Sequence, residues 1–93
     1  MSTLLEKKEQ RQTKTYPNYR VIIYNDDYNT FDYVIDLLCR TIPGMTHRKA
    51  DDLANEIHNN GACIVVVAPF EVAEFYCDIF TNAGMNSSIE PDD

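Results

Sequence analysis

The chain has 93 residues, 44% of them hydrophobic, and a formal net charge of -7 at pH 7. This length predicts one small domain with a modest core. The acidic balance argues against nucleic-acid binding, because phosphate contacts need an excess of Lys and Arg, and it suits a basic or amine-bearing partner. No apolar run approaches the ~18 residues of a membrane span, and residues 1–14 are too polar for a signal peptide. We expect a monomer of the cytoplasm, or of the stroma if the source is a plastid.

Residues 1–17 differ in composition from the rest of the chain. Charged side chains crowd this segment with almost no hydrophobic periodicity, and Pro17 closes it. Such a composition predicts a flexible N-terminal extension, with a frayed helical turn at 4–12 as the alternative. Residues 18–93 are then the folded core domain.

The core domain begins with an apolar run that predicts a buried strand at 19–24. Large apolar residues then recur at the spacing of one helical face, which predicts a first helix. The positions on that face are Phe31, Val34, Ile35, Leu38 and Ile42. Asn29 or Thr30 can cap the helix at its start, and Pro43-Gly44 ends it.

The second half of the chain predicts two more helices and two more strands. Thr46 can cap a second helix, and Gly61 supplies a left-handed stop. Residues 62–68 are apolar and rich in β-branched side chains, which predicts a central strand covered on both faces. Pro69 suits the first position of a third helix, which Gly84 stops. The expected core face of that helix comprises Val72, Ala73, Tyr76, Ile79, Phe80 and Ala83.

Residues 87–90 predict a short last strand at a sheet edge. The element order β-α-α-β-α-β implies an α+β sandwich, with the helices on one face of a three-stranded, mainly antiparallel sheet. The cysteines Cys39, Cys63 and Cys77 lie in apolar segments and lack the spacing of a zinc site. We therefore expect reduced core cysteines, no metal and no cofactor.

The polar sequence Asn25-Asp26-Asp27 directly follows the first strand. Adjacent carboxylates repel each other and contribute little to folding, so this pair is a candidate for holding a cation brought from outside. Our preferred ligand is the free amino terminus of another protein. Ordinary turn chemistry, in which the side chains accept from nearby backbone N–H groups, is the competing interpretation and fits Asp26.

Two other kinds of site are weaker interpretations of the same residues. A calcium or magnesium site built from Asp26, Asp27 and Asn29 lacks the glycine-bearing spacing of an EF-hand loop. A hydrolase built on Asp27 and His58 lacks an evident nucleophile. The chain also has no phosphate-binding glycine loop, so we expect a protein that is not an enzyme.

Three segments together resemble the ClpS family, the adaptors that deliver N-degron substrates to the Clp protease. The segments are residues 19–31, Ile57-His58-Asn59-Asn60-Gly61 and Glu71-Val72-Ala73-Glu74. The match covers essentially everything after Pro17. The family has the predicted element order, in a fold like the carboxy-terminal domain of a ribosomal stalk protein. An Ile-Pro-Gly-Met-Thr link and a short third helix look most like the cyanobacterial and plastid branch, which implies ClpC rather than ClpA as the partner unfoldase.

The resemblance implies that Asn25, Asp27 and His58 bind the α-amino group of the substrate. An α-ammonium offers three donors and one positive charge, so it needs converging acceptors of which one is ionised. Because His58 must be neutral to accept and the ligand must be protonated to donate, we expect binding to peak near neutral pH.

The resemblance also implies an apolar pocket for a first side chain such as Leu, Phe, Tyr or Trp. Its lining would be Asn29, Phe31, Val34, Ala54 and Ile57, with Met85 as a further candidate. Two positions depart from many relatives, because Phe31 and Ala54 stand where methionines are common. Phe31 narrows the entrance and Ala54 deepens the pocket, which leaves the balance between Leu and the aromatics open.

Delivery of a substrate needs two further surfaces. The resemblance places Glu71 and Glu74 where the unfoldase's amino-terminal domain docks, and it implies that the unfoldase engages the N-terminal extension. The implied function is an adaptor that brings N-degron proteins to a Clp unfoldase for degradation by ClpP. The alternative is a general interaction module of the stalk-protein fold that ignores peptide ends, because fold alone does not fix function.

Overall fold

The computed structural model describes residues 17–92. The expected extension therefore lies almost entirely outside the described residues. Strands and helices follow one another in the predicted order β-α-α-β-α-β. The elements are β1 (Tyr19–Tyr24), α1 (Phe31–Thr41), α2 (His47–Asn60), β2 (Ala62–Ala68), α3 (Phe70–Asn82) and β3 (Asn86–Pro91). Among residues 17–92, no helix has the length and apolar character needed to cross a membrane.

The sheet has the order β2-β1-β3, and both neighbouring pairs are antiparallel. Tyr19 lies opposite Ala68 on one side and Pro91 on the other. The register with β2 shifts between Val21 and Ile22, as a β-bulge does. The predicted antiparallel α+β fold is confirmed.

The prediction that β2 is the central strand is wrong. β1 is hydrogen-bonded on both sides, and β2 forms one edge of the sheet. Its inward residues Cys63 and Val65 are buried, whereas Ile64 and Val67 are each 43% exposed. An apolar run shows that a strand is hydrophobic but does not identify its neighbours, because strand order depends on pairing with distant segments.

The helices begin and end close to the predicted boundaries. Thr30 and Thr46 cap α1 and α2, because each hydroxyl accepts from a backbone N–H three residues on, at 3.1 Å. Gly61 ends α2 at a φ of 91°. Pro69 is the N-cap of α3 and not its first residue, so the helix begins one residue later than we predicted.

The core lies between the sheet and the three helices. Its largest fully buried side chains are Phe80, Ile23, Leu38 and Val21. The expected core face of α3 is partly wrong, because Val72 is 41% exposed while Ala73 and Phe80 are fully buried. The α3 residues that point away from the sheet leave an apolar surface in solvent, with Phe75 60% exposed.

Candidate functional site

The site lies where the end of β1, the loop that follows it, the start of α1 and the last turn of α2 meet. The backbone N–H of Asn25 donates to the carbonyl oxygen of Gly61 at 2.9 Å, and the N–H of Gly61 donates to Ile57 O at 2.9 Å. These two bonds join the first loop residue to the helix end that carries His58. These backbone contacts therefore bring together residues that are far apart in sequence.

Asp26 organises the loop. Its Oδ1 accepts from the backbone N–H groups of Tyr28 and Asn29, and its Oδ2 accepts from the Asn29 side-chain Nδ2, all at 2.8 Å. The backbone hydrogen bond from Asn29 is the main cause that lowers the pKa of Asp26, and partial burial opposes it. The carboxylate is thus ionised at neutral pH and its oxygens are used within the turn.

A second pair of contacts holds the loop and α1 against the end of α3. Asn29 Nδ2 also donates to the carbonyl oxygen of Gly84 at 3.1 Å. The hydroxyl of Tyr33 donates to Ala83 O at 2.7 Å. These contacts tie the wall of the site to the turn before β3.

A cavity of about 300 Å³ opens at this point. Its lining combines a polar rim with an apolar wall. The lining residues are Asn25, Asp26, Asp27, Asn29, Thr30, Phe31, Val34, Ala54, Ile57 and His58. Asn25, Asp27 and His58 are exposed at the rim. Val34, Ala54 and Ile57 form the wall and are less than 9% exposed.

The structure brings together all three residues predicted for the α-amino group and five of those predicted for the side-chain pocket. Met85 is different, because it is only 4% exposed in the core and does not line the cavity. Glu71 and Glu74 are exposed on α3, away from the cavity. Thr30 lines the cavity although we had assigned it only to capping, and its place between two predicted pocket residues was the available signal.

The serines of β3 and the buried Cys63 do not line the cavity. The Ser87 hydroxyl donates to Ile22 O at 3.0 Å, and Ser88 pairs with the Tyr24 hydroxyl at 2.8 Å, both within the sheet. Burial raises the pKa of Cys63 to about 12, which keeps that thiol protonated. Among residues 17–92, no group of three or more His, Cys, Asp or Glu side chains is placed to hold a metal ion. The arrangement suits a cation with an apolar substituent.

Comparison with known proteins identifies the family. A family model described as ATP-dependent Clp protease adaptor protein ClpS matches residues 14–89. The chain belongs to the ClpS family. It is 40% identical over 93 residues to the Clp protease adapter protein ClpS of Synechococcus elongatus, covering 100% of this chain and 98% of that protein. It is also 40% identical over 82 residues to chloroplastic CLPS1 of Arabidopsis thaliana, covering 88% of this chain and 52% of that protein.

A solved structure of the same family shares the fold. Agrobacterium tumefaciens ClpS2 bound to L-phenylalaninamide superimposes with a TM-score of 0.73 at 26% identity, covering 82% of this chain and 98% of that one. The family resemblance of the sequence is thus confirmed. The curated ClpS relatives are named as adaptors of a protease and not as enzymes.

Proposed function

We propose that this ClpS protein binds the free N-terminal residue of substrate proteins and delivers them to a Clp unfoldase for degradation by ClpP. The observation that carries the proposal is the cavity itself, where a carboxylate, an amide and an imidazole surround the mouth of an apolar pocket. A positive α-ammonium with a large hydrophobic side chain matches both parts. A general interaction surface would not need that combination.

The three rim residues have complementary roles in this proposal. Asp27 supplies the negative charge, Asn25 Oδ1 a neutral acceptor, and the neutral ring of His58 a lone pair. Asp26 is already occupied by three loop donors, so it fixes the position of its neighbours and does not compete for the ligand. The Asn25-to-Gly61 backbone bond keeps the loop and His58 in register.

The apolar wall receives the first side chain. Val34, Ala54 and Ile57 offer a surface that is nearly free of polar atoms, and burying a large side chain there contributes about 1.5 to 3 kcal/mol. Support comes from Agrobacterium tumefaciens ClpS2, whose structure holds L-phenylalaninamide, a free amine that carries a benzyl group. The accepted first residues would be Leu, Phe, Tyr and Trp.

The exposed start of α3 is the proposed docking face for the amino-terminal domain of the unfoldase. Glu71 and Glu74 are exposed there beside Val72 and Phe75, which are 41% and 60% exposed. An apolar patch rimmed by charges is typical of a protein interface. The proposed partner is ClpC rather than ClpA, in the cytoplasm or the stroma, because the chain resembles the cyanobacterial and plastid branch, from which relatives of both kinds match it.

Docking is tested by measuring the affinity of the ClpC amino-terminal domain for Glu71→Lys and for Asp78→Lys, an exposed acid further along α3. Both changes reverse one charge on the same helix. We expect only Glu71→Lys to weaken binding. Equal effects of the two variants would remove this part of the proposal.

Recognition is tested by fluorescence anisotropy of labelled peptides that begin with Phe or Leu, each with a free or an acetylated amino end. We expect saturable binding of the free forms only, because acetylation removes the positive charge and two of the donors that the rim requires. Equal binding of free and blocked peptides would contradict the proposed function.

A further inference from the structure

The side-chain amide of Asn29 has only one orientation that its neighbours allow. Both hydrogens of Nδ2 are used, one toward Asp26 Oδ2 at 2.8 Å and one toward the carbonyl oxygen of Gly84 at 3.1 Å. Each partner is an acceptor without a hydrogen to donate, so a flipped amide would place oxygen against oxygen at both contacts. The Oδ1 atom is therefore fixed on the opposite side.

The fixed oxygen is carried by a residue of the cavity lining. Asn29 lines the cavity and is half-buried. Within the described part of the chain, no group donates a hydrogen bond to its Oδ1. An oriented acceptor on a lining residue can pair with a group that enters the cavity. A first side chain that displaces water from this atom must replace the lost donor or leave the acceptor unpaired.

We propose that Asn29 is a specificity-determining residue of the pocket, whose Oδ1 accepts a hydrogen bond from the end of the bound first side chain. This inference rests on the proposed function and names the first residues it would favour. Tyr and Trp carry an O–H or N–H donor at the far part of an aromatic ring system, whereas Phe and Leu carry none. Tyr at the first position is therefore bound more tightly than Phe.

The first test needs only the wild-type protein and three peptides that differ at the first residue. Tyr, O-methyltyrosine and Phe share the ring, and only Tyr has the terminal donor. We expect the Kd of the Tyr peptide to be about 3- to 10-fold lower than that of the Phe peptide, in line with one net hydrogen bond. The O-methyltyrosine peptide, which lacks the O–H donor, should bind no more tightly than the Phe peptide. A Tyr peptide that binds no better than the Phe peptide overturns the role of Asn29.

The second test separates the acceptor from the structural contact to the turn before β3. Asn29→Leu removes Oδ1 at similar volume, together with the two Nδ2 bonds to Asp26 Oδ2 and Gly84 O. Tyr33→Phe is the matched control, because it removes the neighbouring bond to Ala83 O at 2.7 Å and lies outside the cavity. We expect the Tyr-to-Phe affinity ratio to fall to about one in Asn29→Leu and to persist in Tyr33→Phe. Loss of the ratio in both variants contradicts the proposal.

Acetylated versions of the peptides distinguish this inference from the function on which it rests. Binding of free forms only, without a preference for Tyr, overturns the role of Asn29 and leaves amino-terminal recognition intact. Equal binding of free and acetylated peptides overturns both. If Asn29→Leu does not fold, the wild-type series with O-methyltyrosine decides the question alone.

Discussion

The rings of Phe31 and His58 meet edge to face, with centroids 5.4 Å apart and an interplanar angle of 68°. Phe31 opens α1 and His58 lies in the last turn of α2, so the contact links the apolar wall of the cavity to its polar rim. Phe31 is on the periodic apolar face of α1 and yet is 38% exposed. Its ring restricts the orientation of the imidazole that is proposed to accept from the ligand.

Replacing Phe31 by Ala should weaken binding of a peptide that begins with Phe by about 3- to 10-fold, since an edge-to-face aromatic pair contributes about 0.5 to 1.5 kcal/mol. Titration of the labelled peptide measures the change. Phe31→Met is the conservative comparison and should keep most of the affinity, because Met fills the same space with a flexible chain. An Ala variant with unchanged affinity would show that this contact does not position His58 for binding.

The volume of the pocket should depend on Ala54, which is only 3% exposed in the wall. Ala54→Met adds a long side chain to a cavity of about 300 Å³, so we expect peptides that begin with Trp to lose more affinity than those that begin with Leu. The control is Asn55→Met, because Asn55 is exposed on the same helix. Ala50→Met is unsuitable as a control, because Ala50 is fully buried. A uniform loss for both peptides would indicate distortion of α2 and not a change in pocket depth.

His58 should contribute to affinity through the lone pair of its ring, because an α-ammonium needs several converging acceptors. His58→Ala should therefore bind a peptide that begins with Phe more weakly at pH 7, and titration of the labelled peptide measures the change. His47→Ala changes the other described histidine, at the exposed start of α2, and should bind the peptide as wild type does. Unchanged affinity in His58→Ala would contradict the proposed role of its ring.

The loop should depend on Asp26 for its stability. Asp26→Ala removes an acceptor of three hydrogen bonds and should lower the free energy of unfolding by about 1 to 3 kcal/mol. Because folding lowers the pKa of this carboxyl below its usual value of 3.8, its contribution is complete only well above that value and is lost as the pH falls through the folded-state pKa.

Urea denaturation at pH 7 and pH 3 measures both effects of Asp26. The difference between wild type and Asp26→Ala should shrink at the lower pH. Asp32→Ala removes an exposed acid from the first turn of α1 and is the matched control. A difference that grows on acidification would have the opposite sign from the one that the hydrogen bonds require.

The order of the elements could be predicted from the sequence because each signal is local. Helical spacing, the threonine caps and Gly61 all act within a few residues of the boundary they set. The place of β2 at the edge and the exposure of Val72 could not be predicted in this way, because both depend on which distant segments cover an apolar residue.

The candidate site could likewise be predicted only in part from the sequence. The family resemblance alone pointed to Asn25, Asp27 and His58 as a group, and these three residues line one cavity. The amide orientation of Asn29 depends on Gly84, 55 residues away, and no local pattern predicts that contact. Met85 was a further candidate for the pocket through the family resemblance alone, but the chain packs it into the core.

The most direct measurement is isothermal titration of L-phenylalaninamide and of N-acetyl-L-phenylalaninamide into wild type, Asp27→Ala and Asp32→Ala. The two ligands differ only at the amino group, and the two variants each remove one exposed carboxylate. We predict binding of the free amine to wild type and Asp32→Ala, none to Asp27→Ala, and none of the acetylated form to any of the three. Equal binding of both ligands, or full affinity in Asp27→Ala, would contradict recognition of the amino terminus at this site.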